Sequence, residues 1–195
     1  MLIFEKGTGG PGKKYCDADA MYVLEALSRK HYLGRAQICK MLGLGPASVR
    51  SLIAQMESDR LVECSRRGVG IAQLGAELLK ILPIEPVEIG PNPRFVLGRF
   101  TQAVRVPGMG DQVLNGLQQV RTATLMGATG CTTWIVSGGV LKLPPHMVLT
   151  TDCGSEFLKT KEGTGMKDGD VLLVCGADTK RDAMVAVMYV ALDFY

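Results

Sequence analysis

The sequence predicts a mixed fold of the α+β or α/β class in two parts. A helical N-terminal domain carrying a β-hairpin comes first, and a C-terminal α/β domain follows. Three observations support this. The chain has 195 residues, 47% of them apolar, which at about 100–200 residues per domain gives room for one domain or two small ones. Apolar residues recur at helical spacing between residues 17 and 82, and in short strand-like runs between 94 and 195. Between them Pro83, Pro86, Pro91 and Pro93 fall within eleven residues. Proline fixes φ and biases its predecessor toward extended backbone, so no helix crosses this stretch. The resulting division is an arm at 1–16, a first domain at 17–82, a linker or extended lead-in strand at 83–93 and a second domain at 94–195.

The arm contains Gly7-Thr8-Gly9-Gly10-Pro11-Gly12-Lys13-Lys14, too rich in glycine to order itself and basic at its end. Its spelling approaches a phosphate loop, but that motif needs Ser or Thr after the lysine, and Lys14 stands there.

In the first domain Asp17 or Asp19 can cap a helix carrying Met21, Leu24 and Leu27, ending near Gly34. A short helix Arg35–Leu42 turns Ile38, Met41 and Leu42 inward, and Gly43 stops it. Gly45-Pro46 opens a third helix, proline being suited to the first helical position. Its apolar set is Val49, Leu52, Ile53 and Met56; Ala47, Ser48, Arg50, Ser51, Gln55 and Ser58 lie on the other face. Leu61 to Ser65 reads as a strand, Arg66-Arg67-Gly68 as a turn and Val69 to Ile71 as the returning strand. Residues 73–82 form an amphipathic helix through Leu74, Leu78, Leu79 and Leu82.

This order of elements, with LGLGPASVRSLIAQMESDRLVE followed by RRGVGIAQLGAELL, resembles the winged helix-turn-helix domains of transcriptional regulators. The resemblance covers residues 17–82. It implies that the third helix enters the major groove of DNA and that the hairpin forms a wing touching the backbone or minor groove. One departure is Asp59-Arg60, where that family often has a glycine to relax the turn after the third helix.

The residue chemistry agrees with this expectation. Ala47, Ser48 and Ser51 are small enough for close approach to base edges. Arg50 can donate two hydrogen bonds to guanine, and Gln55 can pair with adenine. Arg66 and Arg67 at a glycine turn suit phosphates or a narrow minor groove, and Arg35 and Lys40 are further phosphate ligands. The plainer alternative is that these side chains are a solvated helix face and hairpin tip. His31, with no second ligand near it in sequence, reads as a solvated or dipole-paired imidazole.

The second domain opens with an alternating stretch, 94–106, that places Val96, Phe100, Val104 and Val106 on one face of a long strand. Asp111 can cap a helix with Val113, Leu114, Leu117, Val120 and Leu125 inward. The small-residue run 127–133 leads into a strand at Trp134-Ile135-Val136, and Ser137-Gly138-Gly139 turns into Val140 to Leu143. Val171 to Cys175 is a buried strand, and Thr179 with Asp182 forms a capping box before a helix that is apolar nearly all round. Such a helix is either a central core element or a dimer interface. The stretch GATGCTTWIVSGGVLKLPP and its setting also resemble an uncharacterised C-terminal domain of small archaeal winged-helix proteins.

Charge and composition narrow the function. Residues 1–80 hold 12 Lys and Arg against 8 Asp and Glu, whereas 81–195 hold 10 against 11. A basic first part followed by a near-neutral second part points to a polyanion partner for the first alone. No run reaches the roughly 18 apolar residues of a bilayer span, and residues 1–14 lack a signal-peptide core, so the expected location is cytoplasmic and no membrane partner is expected. The six cysteines (Cys16, Cys39, Cys64, Cys131, Cys153 and Cys175) contain no C-x-x-C pair and read as small, reduced core residues. No cofactor or metal is expected. Asp168, Asp170, Asp178 and Asp182 match no cation loop and read as a turn, a strand start and a helix cap. His146 with Asp152 or Cys153 is too thin a set for an enzyme. Gly127, Thr129, Gly130, Thr132 and Thr133 could let a ligand reach backbone N–H groups; close helix–strand packing explains the same residues.

The expectation is therefore a sequence-specific transcriptional regulator that binds double-stranded DNA as a homodimer, with the second domain for dimerisation or for sensing a small-molecule effector. The alternative is an α/β enzyme or small-molecule-binding protein whose first domain contacts protein or RNA. A purely structural interaction module is a third reading.

Overall fold

A computed structural model describes residues 14–89, 96–144, 147–148 and 165–195. The chain divides after Leu82 into two compact units. Among the described residues there are six α-helices and two sheets, and both sheets are antiparallel throughout.

The first unit begins with α1 (Asp17–Lys30). Its cap is Cys16 rather than an aspartate: the Asp19 carboxylate reaches back to accept from the Cys16 N–H at 2.8 Å. Met21, Leu24 and Leu27 are fully buried as the spacing required. The helix stops before Gly34 because Tyr32–Leu33 is taken into a sheet as β1. Next come α2 (Arg35–Leu42), ended by Gly43 at φ 65°, and α3 (Pro46–Ser58), with Pro46 in its first turn. Val49, Leu52, Ile53 and Met56 form the buried face of α3, while Met41, expected inside, is half-buried. The hairpin is β2 (Val62–Ser65) and β3 (Gly68–Ile71), and the three strands lie in the order β1-β3-β2. α4 (Gln73–Ile81) packs on α1 through Gly75, where an added Cβ would strike the Leu61 carbonyl and approach Leu24 Cδ2 to 2.9 Å. Its leucines are less buried than expected, Leu74 being exposed and Leu78 and Leu79 half-buried.

The second unit is α+β, not α/β, because every strand pair in its sheet is antiparallel. Its strands are β4 (Glu85–Val87), β5 (Phe100–Val106), β6 (Gly130–Ser137), β7 (Val140–Leu143), β8 (Met147–Val148) and β9 (Val171–Ala177), in the order β4-β5-β9-β6-β7-β8. The proline-rich stretch thus supplies an edge strand at 85–87, a position that tolerates proline. The described part of the expected 94–106 strand is regular only from Phe100. Gly98, at φ 144°, breaks the alternation, so Val96 joins the core containing Ala103 while Val104 and Val106 are buried on the opposite face. The β6–β7 turn is Gly138-Gly139, both at positive φ as a two-residue hairpin demands. Asp168 secures it by accepting from both N–H groups, at 2.9 and 2.8 Å.

Two helices, α5 (Leu117–Leu125) and α6 (Lys180–Leu192), pack on each other and on β5, β6 and β9. Trp134, Val136, Leu141, Met166, Leu172 and Val174 fill a core with Ala103 on the other side of the sheet. The face expected for α5 is reversed. Asp111 sits in a 3-10 turn (Gly110–Gln112), and the helix starts later, after Gly116. Gln119 and the small Ala123 then face inward, leaving Leu114, Leu117 and Leu125 exposed at 83%, 67% and 73%. Thr179 caps α6 as expected, accepting from Asp182 N–H at 3.1 Å. The two alternatives for this helix resolve to a core element: Met184, Val187, Met188, Val190 and Leu192 are all buried within the unit. Two ion pairs close the sheet end, Arg105 Nε donating to the buried Asp170 carboxylate at 2.9 Å and Nη1 to the more exposed Glu85 at 3.1 Å.

Candidate nucleic-acid interface

The outer face of α3 follows from its helical period. With Val49, Leu52, Ile53 and Met56 buried, Ala47, Arg50 and Ser51 point to solvent. These three are neighbours at i, i+3 and i+4. The Ser51 hydroxyl donates to Ala47 O at 3.2 Å, which keeps the side chain close to the helix and leaves Arg50 as the long group of the face. Ser48 is half-buried. Gln55 is half-buried too, and its Nε2 donates to both Asp59 carboxylate oxygens, at 3.2 and 3.1 Å. An amide engaged in this way has to leave Asp59 before it can read adenine.

The hairpin presents Arg66 and Arg67 at its tip, both exposed. Ser65 shapes the turn, its Oγ accepting from Arg67 N–H at 3.1 Å and donating to Gly68 O at 3.2 Å. Gly68 is required here: at φ 122° an added Cβ would lie 2.7 Å from Leu33 O. Arg67 lies over the ring of Tyr32, 5.9 Å from its centroid, within reach of a cation–π attraction. Arg66 extends from the same tip.

Arg35, in the first turn of α2, is exposed and borders the hairpin, where a cavity of about 230 Å³ is lined by Arg35, Cys64, Ser65, Gly68 and Val69. Partial burial and the Glu57 carboxylate push the Cys64 thiol up, with Arg35 acting against them. Glu57 also accepts from Cys64 N–H at 3.2 Å, tying α3 to β2. Lys40 is exposed farther along α2. The expected set thus separates into an exposed helical face (Ala47, Arg50, Ser51), a hairpin group (Arg35, Arg66, Arg67), and Ser48, Gln55 and Lys40 apart from either. Sequence reasoning missed Asp59 and Tyr32. The Gln55–Asp59 spacing of i, i+4 was a legible signal; the Tyr32–Arg67 contact depends on strand pairing far apart in sequence.

In the second unit the small-residue run is engaged internally. The single proton of Thr129 Oγ1 is shared between Leu97 O at 2.9 Å and Gly176 O at 3.1 Å, and a Cβ on Gly130 would lie 3.1 Å from Leu97 N. Gly127 turns the chain at φ 90°, Thr132 is half-buried, and Thr133 is buried with its hydroxyl unpaired. A separate cavity of about 330 Å³ is lined by Asp111, Ser137, Lys142 and Asp168 among others. His146, Asp152 and Cys153 lie outside the described residues. Among the described residues no three His, Cys, Asp or Glu side chains are grouped as a metal would require, and no helix is long and apolar enough to cross a membrane. Among the described cysteines, all expected in the core, Cys175 is buried, Cys16, Cys39 and Cys131 are half-buried and Cys64 is exposed.

The second unit is an antiparallel sheet with two helices packed on it, and it follows a smaller unit of four helices and a three-stranded sheet. The chain belongs to the family described as a domain of unknown function, DUF4443, matched over residues 97–194. It is similar in fold to a solved structure described as hypothetical protein PH0730 from Pyrococcus horikoshii OT3. The TM-score is 0.72 and the identity 22%, over 93% of each chain. No curated protein matches it. Of the expected resemblance to an uncharacterised archaeal domain, what is shown is a family of unknown function for the second domain and a fold shared with that archaeal protein.

Proposed function

We propose that the chain is a sequence-specific DNA-binding transcriptional regulator whose residues 17–82 form a winged helix-turn-helix domain. The observation that carries the reading is the exposed Ala47–Arg50–Ser51 face of α3 in a unit whose hairpin tip presents Arg66 and Arg67. In this reading α3 enters the major groove and Arg50 donates to guanine O6 and N7. The hairpin arginines and Arg35 neutralise phosphates and fix the register. A homodimer belongs to the same reading, because a palindromic operator needs two half-site readers. With α6 buried, Leu117 and Leu125 of α5 supply the apolar surface for it.

The test is selection of bound fragments from random duplex DNA by the purified protein, followed by affinity measurement across salt. Neutralising about four to six phosphates gives log K against log salt a slope of about −4 to −5. Failure to enrich any sequence, with affinity flat in salt, overturns the proposal.

A second reading, a small-molecule-binding protein or enzyme, is favoured by one observation. The 330 Å³ cavity is lined by Lys142, whose ammonium donates to Ser137 Oγ at 3.2 Å, and by Asp111 and Asp168. A thermal-shift screen of small polar metabolites tests it; stabilisation by a metabolite together with failure to bind any duplex separates it from the first reading, in which a ligand acts as an effector.

A further inference from the structure

Cys131 on β6 and Cys175 on β9 are direct cross-strand partners in the centre of the second unit's sheet. The hydrogen bond from Val136 N–H to Asp170 O, 3.0 Å, flanks the Ile135–Val171 pair and makes it a non-hydrogen-bonded pair. Such pairs recur every two residues along an antiparallel ladder, so Cys131–Cys175, four residues on, belongs to the same kind. Their Cα atoms are then about 4.5 Å apart, inside the range of about 4.4–6.8 Å that a disulfide bridges. Partners in register direct their side chains to the same face of the sheet, so the two thiols stand side by side. Cys131 is half-buried and reachable from solvent, whereas Cys175 is fully buried behind it.

From this geometry we infer that Cys131 and Cys175 form a redox-active dithiol, a modification site that a low-molecular-weight disulfide oxidises to a cross-strand disulfide. The Cys131 thiolate attacks one sulfur of the small disulfide. A Cys131 mixed disulfide forms as the small S–S bond breaks, releasing one small thiol. Cys175 then gives up its proton to solvent and attacks the Cys131 sulfur, closing the Cys131–Cys175 bond and expelling the second small thiol. Two electrons pass from the protein thiols to the small disulfide, and the two protons end on the released thiols. The order follows exposure, since only Cys131 is open to attack. It agrees with the strongly raised pKa of the Cys175 thiol, caused by its hydrogen bond to Cys131 and by burial.

The experiment incubates the full-length protein with glutathione disulfide, blocks remaining thiols and maps the peptides by mass spectrometry. The expected product joins the peptide containing Cys131 to that containing Cys175, with loss of two hydrogens and reversal by dithiothreitol. Cys175→Ser is expected to stop at a stable Cys131–glutathione adduct. Cys131→Ala, altering only the half-buried position, is expected to leave Cys175 unmodified. Recovery of both thiols free after oxidation, or a glutathione adduct on Cys131 that persists in the native chain, overturns the inference. So does a disulfide joining either cysteine to a different one.

Discussion

Gln55 and Asp59 are bound to each other across one turn of α3, the amide donating to both carboxylate oxygens at 3.2 and 3.1 Å. The pair places a negative charge at the end of the helix proposed to meet DNA. Asp59→Ala frees the amide and removes that charge. The expected result is a severalfold gain in affinity for all duplexes, about 1 kcal/mol, read by fluorescence anisotropy at low salt. Weaker binding would mean that Asp59 orients the helix rather than repelling the phosphates.

The arginines divide by role. Arg66→Ala with Arg67→Ala is expected to weaken binding to every sequence alike and to flatten the salt slope. Arg50→Ala is expected to cost about 1–3 kcal/mol on the preferred site and little on random DNA. Equal losses on both DNAs would remove Arg50 from base reading.

Gly75 tests the packing of α4. A Cβ there meets the Leu61 carbonyl and Leu24 Cδ2, so Gly75→Ala overpacks the junction despite alanine's better helix propensity. Overpacking costs about 1–3 kcal/mol, and the urea midpoint is expected to fall accordingly. An unchanged midpoint would show that the backbone relaxes freely there.

Arg60, the residue standing where a glycine is frequent, is left-handed at φ 57°. That conformation costs a side-chain-bearing residue about 1–2 kcal/mol, while glycine returns part of this as added freedom in the unfolded chain. Arg60→Gly is expected to raise stability by up to about 1 kcal/mol in equilibrium denaturation.

Much of the first unit was legible because its signals are local. Pro46 opened α3, Gly43 closed α2, and the apolar sets of α1 and α3 named the buried residues. What escaped was non-local. Tyr32–Leu33 is too short to show a period and becomes a strand only by pairing with β3. The face of α5 was misread because its leucines outweigh Ala123 in hydrophobicity, while closeness to α6 and β6 selects the smaller side chain. The alternation from Val96 to Val106 was interrupted by Gly98, whose φ of 144° no pattern of apolar residues reports. For the candidate site, the arginines were legible as charges at a turn and on a helix face and the Gln55–Asp59 pair as an i, i+4 spacing, but the Tyr32 ring beside Arg67 needed the folded chain.

Alkaline pH probes the start of α1. Burial and the nearby Asp19 carboxylate push the Cys16 thiol up from 9.0 to about 11. The folded state therefore favours the neutral thiol. Its contribution is complete below the unfolded value and is lost as pH rises through the folded one. Between pH 9 and pH 11 the native chain is expected to lose more stability than Cys16→Ser, whose hydroxyl does not ionise there and is the stronger helix cap. Parallel losses in the two proteins would show that another group governs the alkaline limb.

The central place of β9 has a consequence for how the second unit assembles. Phe100 finds Ala177 and Gly130 finds Gly176, so the middle strand is made after both of its neighbours. Until it arrives, β5 and β6 each present a bare row of amides and carbonyls to whatever is nearby. Contacts this distant in sequence slow the search for the native topology, and half-built sheets with open edges are prone to join other chains. During synthesis a nascent chain carrying β5 and β6 but not yet β9 is the species most exposed to misassembly. The late insertion of β9 is the step that ends that exposure.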